Sequence, residues 1–388
     1  MDSLPNRKET GAVRSGLDIF TDVPYSDGPV GLLTTAASLT RDGRTCYRAL
    51  RDVGLRIATV FTPQFGYYGI GATREVIPDA EDGYVPIYRL DGGTEFPAPE
   101  ELASLSMLIV DLQDVGVRFH PFLQTLHHAL HTCVHADVPI TVLDRPNPLR
   151  GNLVEGPLLS SELLPHYATS FGEIPLRHGL TLGETANWFN EVIGANLTVV
   201  RMEGWHRAMM YSDTGMPWTM PTPDLPTFES AVLYPATGLL ECLPVSAGHG
   251  TTLPYQQLGA PYIDAEVLAG ALNSLFLNGL SFTPTWFRPL AGNFAGQPCE
   301  GVRIHVADPR DLNVFELSLN LISVIRELYP DQAVWLLDGE TIAFDVLVGT
   351  AQIREQLENG MTPERIVSDC ALEASEFMAE AASYWLYE

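Results

Sequence analysis

The chain reads as α/β, with a Rossmann-like parallel sheet domain that lacks a nucleotide fingerprint, followed by a smaller α+β domain. Three observations predict this. Short apolar runs, of the kind buried on both faces of a parallel sheet, recur through the first half and alternate with helical segments. Most of these runs end abruptly in polar or specially shaped sequence. From about Trp205 the texture changes: Pro217, Pro221, Pro223 and Pro226 interrupt the chain, and short strands and helices follow.

Residues 1–15 are polar, mixed in charge and expected to be a disordered tail. The first domain is expected over residues 16–205 and the second over 206–388. Val30–Thr34 is the first strand, and Cys46–Val53 carries helix signals. Leu55–Phe61 is the second strand, stopped by Thr62-Pro63, and Gly66, Gly69 and Gly71 make the next segment a loop. Met107–Asp111 is the third strand, with Leu108, Ile109 and Val110 in an unbroken run. A helix from about Leu123 to Ala136 follows, then a fourth strand, Pro139–Leu143. Thr181 with Glu184 three residues on is a capping box, which predicts a helix to Val192, and Leu197–Arg201 closes the unit. Later helices are expected at 264–277, 314–328 and 363–382, with a short strand over Gly301–Val306.

Composition excludes several functions. A net charge of −26 argues against nucleic acid and against an anionic membrane surface. The five cysteines are scattered, without a CxxC pair, which fits a reducing compartment and no zinc cluster. No apolar run has the length of a membrane span, and the amino terminus has no signal-peptide core, so a cytoplasmic protein is expected. The glycines after the second strand do not have dinucleotide spacing, and there is no P-loop or nucleophile elbow. His127, His131 and His135 recur every four residues, but the apolar stripe of their helix lies elsewhere and no H-E-x-x-H motif accompanies them. A solvated face, with no metal, is the expectation. No cofactor is expected, the partner is a small-molecule substrate, and the oligomeric state is left open.

The chemistry concentrates at the strand ends. In a parallel sheet these ends share one edge, where ligands bind in open α/β folds. Asp111, Gln113, Asp114 and Arg118 follow the third strand. They fit either a site or a helix cap with an Asp114–Arg118 pair. Asp144-Arg145-Pro146-Asn147-Pro148 is stiffened by two prolines and is either a preset binding loop or a rigid turn with an internal ion pair. Glu155 beside Gly156-Pro157 is a candidate general acid if it lies in a dry cleft. Arg177 and His178 precede the Thr181 helix, whose amino terminus can receive an anion. Residues 244–252 form a Gly/Ser/Thr loop carrying His249, a possible anion nest.

In order along the chain, Asp111-Leu-Gln-Asp-Val-Gly-Val-Arg-Phe119, Asp144-Arg-Pro-Asn-Pro148, Val154-Glu-Gly-Pro157, Arg177-His-Gly-Leu-Thr181 and Thr237-Gly-Leu-Leu-Glu241 resemble the motifs of the exo-β-N-acetylmuramidases. The resemblance runs from about Gly16 to near the carboxyl terminus. It implies a Rossmann-like domain without a nucleotide, a smaller carboxyl-terminal domain and a cleft between them, in enzymes that remove terminal N-acetylmuramic acid from peptidoglycan fragments. The chain departs from the family pattern at four places. Pro-Glu-His-Gly, whose Glu is the leading catalytic candidate, is Pro63-Gln64-Phe65-Gly66 here. Arg-Phe-Tyr-Thr-Tyr is Arg118-Phe-His-Pro-Phe122, Gly-Arg-Gly-Thr is Gly248-His-Gly-Thr251, and Pro-Phe-Glu is Pro254-Tyr-Gln256. Glutamine cannot exchange a proton near neutrality, whereas His120 and His249 can.

The expectation is therefore a glycoside-hydrolase-like enzyme acting on a small anionic sugar, an amino sugar or a related metabolite. Asp114, Asp144 and Glu155 are its acid/base candidates, with His120 and His249 as added ones. Arg118, Arg145 and His178 bind the substrate, Gln64 and Asn147 orient it, and Phe65 and Thr251 complete the binding set. Gln64, Asp114, Asp144 and Glu155 are expected to line one cleft. The alternatives are a different, histidine-based enzyme on the same scaffold and a non-catalytic binding protein with an aromatic pocket around Phe65.

Overall fold

A computed structural model describes residues 13–24, 28–71, 76–79, 83–90, 99–166 and 172–388. Strands β1 (Val30–Thr34), β2 (Ile57–Thr62), β3 (Val76–Asp79), β4 (Gly83–Arg89), β5 (Met107–Asp111) and β6 (Ile140–Leu143) belong to the first domain. So do β7 (Glu155–Leu158), β8 (Pro175–Arg177) and β9 (Leu197–Val200). Seven of them form one sheet in the order β3-β4-β2-β1-β5-β6-β9, and β7 and β8 form a separate antiparallel ribbon. All pairs in the large sheet are parallel except β3 with β4. Without β3 this is the Rossmann order, whose direction reverses between β1 and β5. The fold class expected from sequence is the one observed.

The reason β1, β5 and β6 sit centrally is their composition. All five β1 residues are buried, and Leu32, Leu33, Ile109 and Val110 have no exposed surface. Each such side chain contributes roughly 1.5–3 kcal/mol of apolar transfer. Helices α1 (Gly16–Phe20), α2 (Cys46–Asp52), α3 (Pro99–Leu102), α4 (Pro121–Ala136) and α5 (Leu182–Ile193) lie in the first domain. The α5 capping box is present as read from Thr181 and Glu184, and Gly194 ends the helix in the left-handed conformation it alone tolerates readily. His127 on α4 differs from its expected place on a solvated face. It is buried, with its ring 5.0 Å from Phe189 of α5, while His131 and His135 are exposed.

Residues 1–12 of the expected tail lie outside the described residues. Residues 13–15 belong to the fold: Val13 is buried, Arg14 pairs with Asp22 and Glu203, and Ser15 caps α1. Strands β3, β4, β7 and β8 were not anticipated. Short edge and ribbon strands, with prolines at positions 78, 86, 157 and 175, lack the continuous apolar signal.

The rest of the chain comprises α6 (Phe228–Thr237), α7 (Ala265–Asn273), α8 (Val314–Leu328), α9 (Ala343–Val348), α10 (Gln352–Glu358) and α11 (Pro363–Ala381). An antiparallel sheet of β10 (Gln257–Ala260), β12 (Cys299–Val306) and β11 (Leu280–Phe287), in that order, accompanies them. Phe377 and Ala381 of α11 pack into the same apolar cluster as β5, β6 and α4. The carboxyl-terminal helix is thereby built into the core of the first domain. Among the described residues no helix is long and apolar enough to cross a membrane. The five cysteines are buried and unpaired.

Candidate active site

The reversal between β1 and β5 places Thr34 opposite Asp111 at the carboxyl edge of the sheet. The Thr34 and Ser38 hydroxyls both donate to the Asp111 carbonyl, at 2.8 and 2.7 Å. The chain then turns through Gln113, Asp114 and Gly116 to His120 at the start of α4. Gly116 has φ +74°, and a Cβ there would meet the Asn147 amide at 2.6 Å, so this turn requires glycine.

Asp114 is the centre of the site. It is 6% exposed, and its Oδ2 accepts the Gly116 amide proton at 2.7 Å. His120 Nδ1 stands 3.4 Å from Oδ1, and His178 Nε2 stands 3.7 Å from Oδ2. These separations exceed hydrogen-bond range. Asp114 Oδ1, both ring nitrogens of His120 and Nε2 of His178 are buried with no hydrogen-bond partner. Buried polar atoms are nearly always satisfied, so four orphans around one carboxylate single out Asp114 and its histidines as the candidate site. Burial pushes the Asp114 carboxyl up, but its interactions with His120, His178 and the Gly116 amide outweigh it, and its pKa is lowered. The carboxylate is ionised. His178 is pushed down to about 4, first by burial and despite Asp114, so it is neutral. Its Nδ1 accepts the Leu180 amide proton, which leaves its own proton on Nε2, facing Asp114.

A second group lies across an aromatic wall. The Tyr234 ring is 6.0 Å from His120, 4.9 Å from Phe119 and 4.8 Å from Tyr255, and Tyr255 is 5.1 Å from His249. His249 Nε2 is 2.7 Å from Glu241 Oε1, and its Nδ1 is 3.2 Å from Asp224 Oδ1. Burial alone lowers the pKa of His249, but the hydrogen bonds to Asp224 and Glu241 and their charges raise it to about 10. It is an imidazolium clamped between two carboxylates. The two groups share one electrostatic environment: burial first, then the charges of Glu241, Asp114 and Asp224, push the Tyr234 phenol far up. Tyr255 holds φ +63°, a strained conformation costing roughly 1–3 kcal/mol for a residue with a side chain. Its amide donates to Ala247 and its carbonyl accepts the Thr237 hydroxyl, which fixes the ring in this wall.

Several residues expected in the site have other work. Asp144, fully buried, accepts from the Thr181 hydroxyl (2.7 Å), the Tyr387 hydroxyl (2.7 Å), the Gly183 amide (2.8 Å) and the Arg145 amide (3.0 Å). It binds the start of α5 and the chain terminus, so no lone pair is left for a substrate. Burial raises its pKa to about 7. Glu155 pairs with Arg177 at 2.9 Å and accepts the amides of Val314 and Phe315, so it supports the start of α8 alongside the N-cap residue Asn313. Arg145 holds Asp111 through two contacts, at 2.5 and 2.8 Å, and donates to Leu39. Asn147 bridges Leu180 and Leu149. Arg118 donates to the carbonyls of Pro157 (3.1 Å), Ile174 (2.8 Å), Leu347 (3.2 Å) and Val348. It ties the β7–β8 ribbon to α9. Arg177 is spent on Glu155 and Leu149, and the α5 amino terminus on Asp144, so no anion is received there. The expected cleft of Gln64, Asp114, Asp144 and Glu155 is thus corrected: Asp114 stands with the two histidines instead.

Thr251 bonds within its own turn, to Gly248, Leu253 and Gln257. Gln64 is exposed and Phe65 half-buried on the loop after β2. Gly69 of that loop approaches the Pro223 ring, next to Asp224. Sequence reasoning missed Asp224, Tyr234, Glu241 and Tyr255 as site residues. Glu241 and Tyr255 lay inside motifs already noted, and Asp224 and Tyr234 became visible only when α6 and the 244–256 loop folded over the sheet edge.

Fold and site together define a Rossmann-like α/β protein with a carboxylate–histidine centre at the sheet's switch point. Its amino-terminal part, residues 30–229, matches the model of the exo-beta-N-acetylmuramidase NamZ amino-terminal domain, and residues 232–387 match that of the carboxyl-terminal domain. The chain belongs to this family. It is 37% identical over 366 residues to the peptidoglycan beta-N-acetylmuramidase NamZ of Bacillus subtilis, covering 92% of this chain and 86% of that one. A DUF1343 family crystal structure from Bacteroides fragilis is similar at TM-score 0.85 and 28% identity, over 98% of this chain and 100% of that one. A second from the same organism, at 24% identity and TM-score 0.74, covers 97% of this chain and 99% of that one and shares the fold.

Proposed function

We propose that the chain is a glycoside hydrolase that releases an amino sugar from a small substrate, with its acid/base chemistry moved from position 64 to the histidines. Family membership and the 37% identity to a muramidase support sugar hydrolysis. The observation that carries the assignment of roles is the Asp114–His120–His178 cluster with its four unpartnered buried atoms.

In this reading His120 gives a proton to the leaving glycosidic oxygen while the Asp114 carboxylate orients its ring. The C–O bond breaks, and water adds to the anomeric carbon with Glu241 accepting its proton. The products are the free sugar and an alcohol; Glu241 passes its proton to solvent and His120 regains one from it. His249 takes no part as a base: already protonated, it holds Glu241 and Asp224 in place. Gln64 and Phe65 line the approach without exchanging protons.

A panel of chromogenic amino-sugar glycosides tests this. Turnover by the wild type is expected, with a loss of about 10²–10⁴-fold in His120→Phe. The pairing of both site histidines with carboxylates also fits a hydrolase of another bond. Turnover of esters or amides, with every glycoside left intact, would establish that second reading and remove the first.

A further inference from the structure

A buried tyrosine hydroxyl is a donor that normally finds an acceptor. Tyr211 donates to the Pro217 carbonyl at 3.0 Å, Tyr262 to the Pro244 carbonyl at 2.8 Å and Tyr387 to Asp144 at 2.7 Å. Tyr255 is engaged with Glu241. Tyr234, its neighbour in the aromatic wall, differs. Burial and the charges of Glu241, Asp114 and Asp224 act on its phenol, and among the described residues no hydrogen-bond partner meets its hydroxyl.

The ring is held in place from several sides. Gly238, one turn further along, gives its amide proton to the Tyr234 carbonyl. A Cβ at Gly238 would stand 3.2 Å from both Tyr234 Cε2 and Phe119 Cε2, so glycine there admits the two rings. Phe119, His120 and Tyr255 pack edge-on against Tyr234, with ring centroids at 4.9, 6.0 and 4.8 Å. The phenol therefore stands between the Asp114–His120 pair and the carboxylates of Glu241 and Asp224, and it feels the charge of both.

We infer that Tyr234 contacts the substrate, its hydroxyl donating a hydrogen bond to a substrate oxygen held between His120 and Glu241. That this oxygen belongs to a sugar rests on the glycosidase reading; the contact itself does not. The surrounding carboxylates and burial keep the phenol neutral, so it donates without acting as a base, and proton transfer stays with His120 and Glu241. A buried donor left unpaired costs stability in the free protein, and a ligand oxygen removes that cost.

Tyr234→Phe tests this in the full chain, since it removes the hydroxyl and keeps the ring. The substrate is whichever the wild type turns over fastest in a panel of amino-sugar glycosides, esters and amides. The variant is expected to lose about 5–150-fold in kcat/KM, because a substrate oxygen is left without its donor. Its melting temperature should hold or rise, since an unpartnered buried hydroxyl has been removed. The pH at which each limb of the kcat/KM profile falls should not move, because the phenol does not exchange a proton. A kcat/KM within about twofold of wild type would overturn the inference, as a ring that only packs predicts. A loss accompanied by a lowered melting temperature would likewise assign Tyr234 to packing and overturn it. The expected loss on an ester or amide, with every glycoside left intact, would uphold the contact and reject the glycosidase reading alone. A wild type that turns over nothing in the panel would overturn both.

Discussion

At the scale of single residues, the difference that matters most is which polar atoms are satisfied. Asp144, Glu155, Arg118, Arg145 and Asn147 looked like site residues because they are polar and follow apolar strands. In the structure each is tied to buried partners in other segments. Asp114 and His120 look no different in sequence, yet they keep unpartnered buried atoms. Sequence places a polar group at the sheet edge but does not count its hydrogen bonds, because the partners come from segments as distant as Val348 and Tyr387. The expected departure from the family pattern at Gln64, by contrast, rests on residue type alone. Hydrolysis of a chromogenic N-acetylmuramic acid glycoside should accordingly be weak in the wild type. The Gln64→Glu, Phe65→His double variant should raise it measurably, and robust wild-type turnover of this glycoside would contradict the assignment.

At the scale of elements, the parallel strands and the long helices were readable because apolar runs and caps are local signals. The α5 capping box and the β1, β5 and β6 strands lie where residue pattern put them. The β7–β8 ribbon and α6 were not readable, since the first is short and rich in proline and the second is buried on nearly every side. The Glu155–Arg177 pair joins this ribbon to the start of α8. Removing one partner of a buried pair leaves a charge without compensation, and Glu155→Ala should lower unfolding free energy by about 3–5 kcal/mol. The shift of the denaturant midpoint checks this, and an unchanged midpoint would show that the cap is dispensable.

At the scale of the whole molecule, the candidate site draws on both halves of the sequence, and buried titratable groups link stability to pH. His249 has a folded pKa raised from 6.5 to about 10, so the folded state holds its proton more tightly than the unfolded state does. Its contribution is complete below about pH 6.5 and is lost as pH rises towards 10. Asp144, raised to about 7, acts with the same sign at lower pH: its protonated form favours the folded state up to about pH 7, and the contribution is gone above it. The melting temperature should therefore fall between pH 7 and pH 9, and His249→Gln should flatten that fall. An equal slope in the variant would mean that the clamp between Asp224 and Glu241 does not contribute.

The account's central claim is that proton transfer has moved from the loop after β2 to the Asp114–His120 pair. Paired kcat/KM values for Asp114→Asn and Gln64→Ala, on the best amino-sugar glycoside of the wild type, test it most directly. Asp114→Asn should lose about 10²–10⁴-fold with its fold intact by circular dichroism, while Gln64→Ala stays within about tenfold of wild type. A large loss in Gln64→Ala together with near-normal activity in Asp114→Asn would contradict the claim.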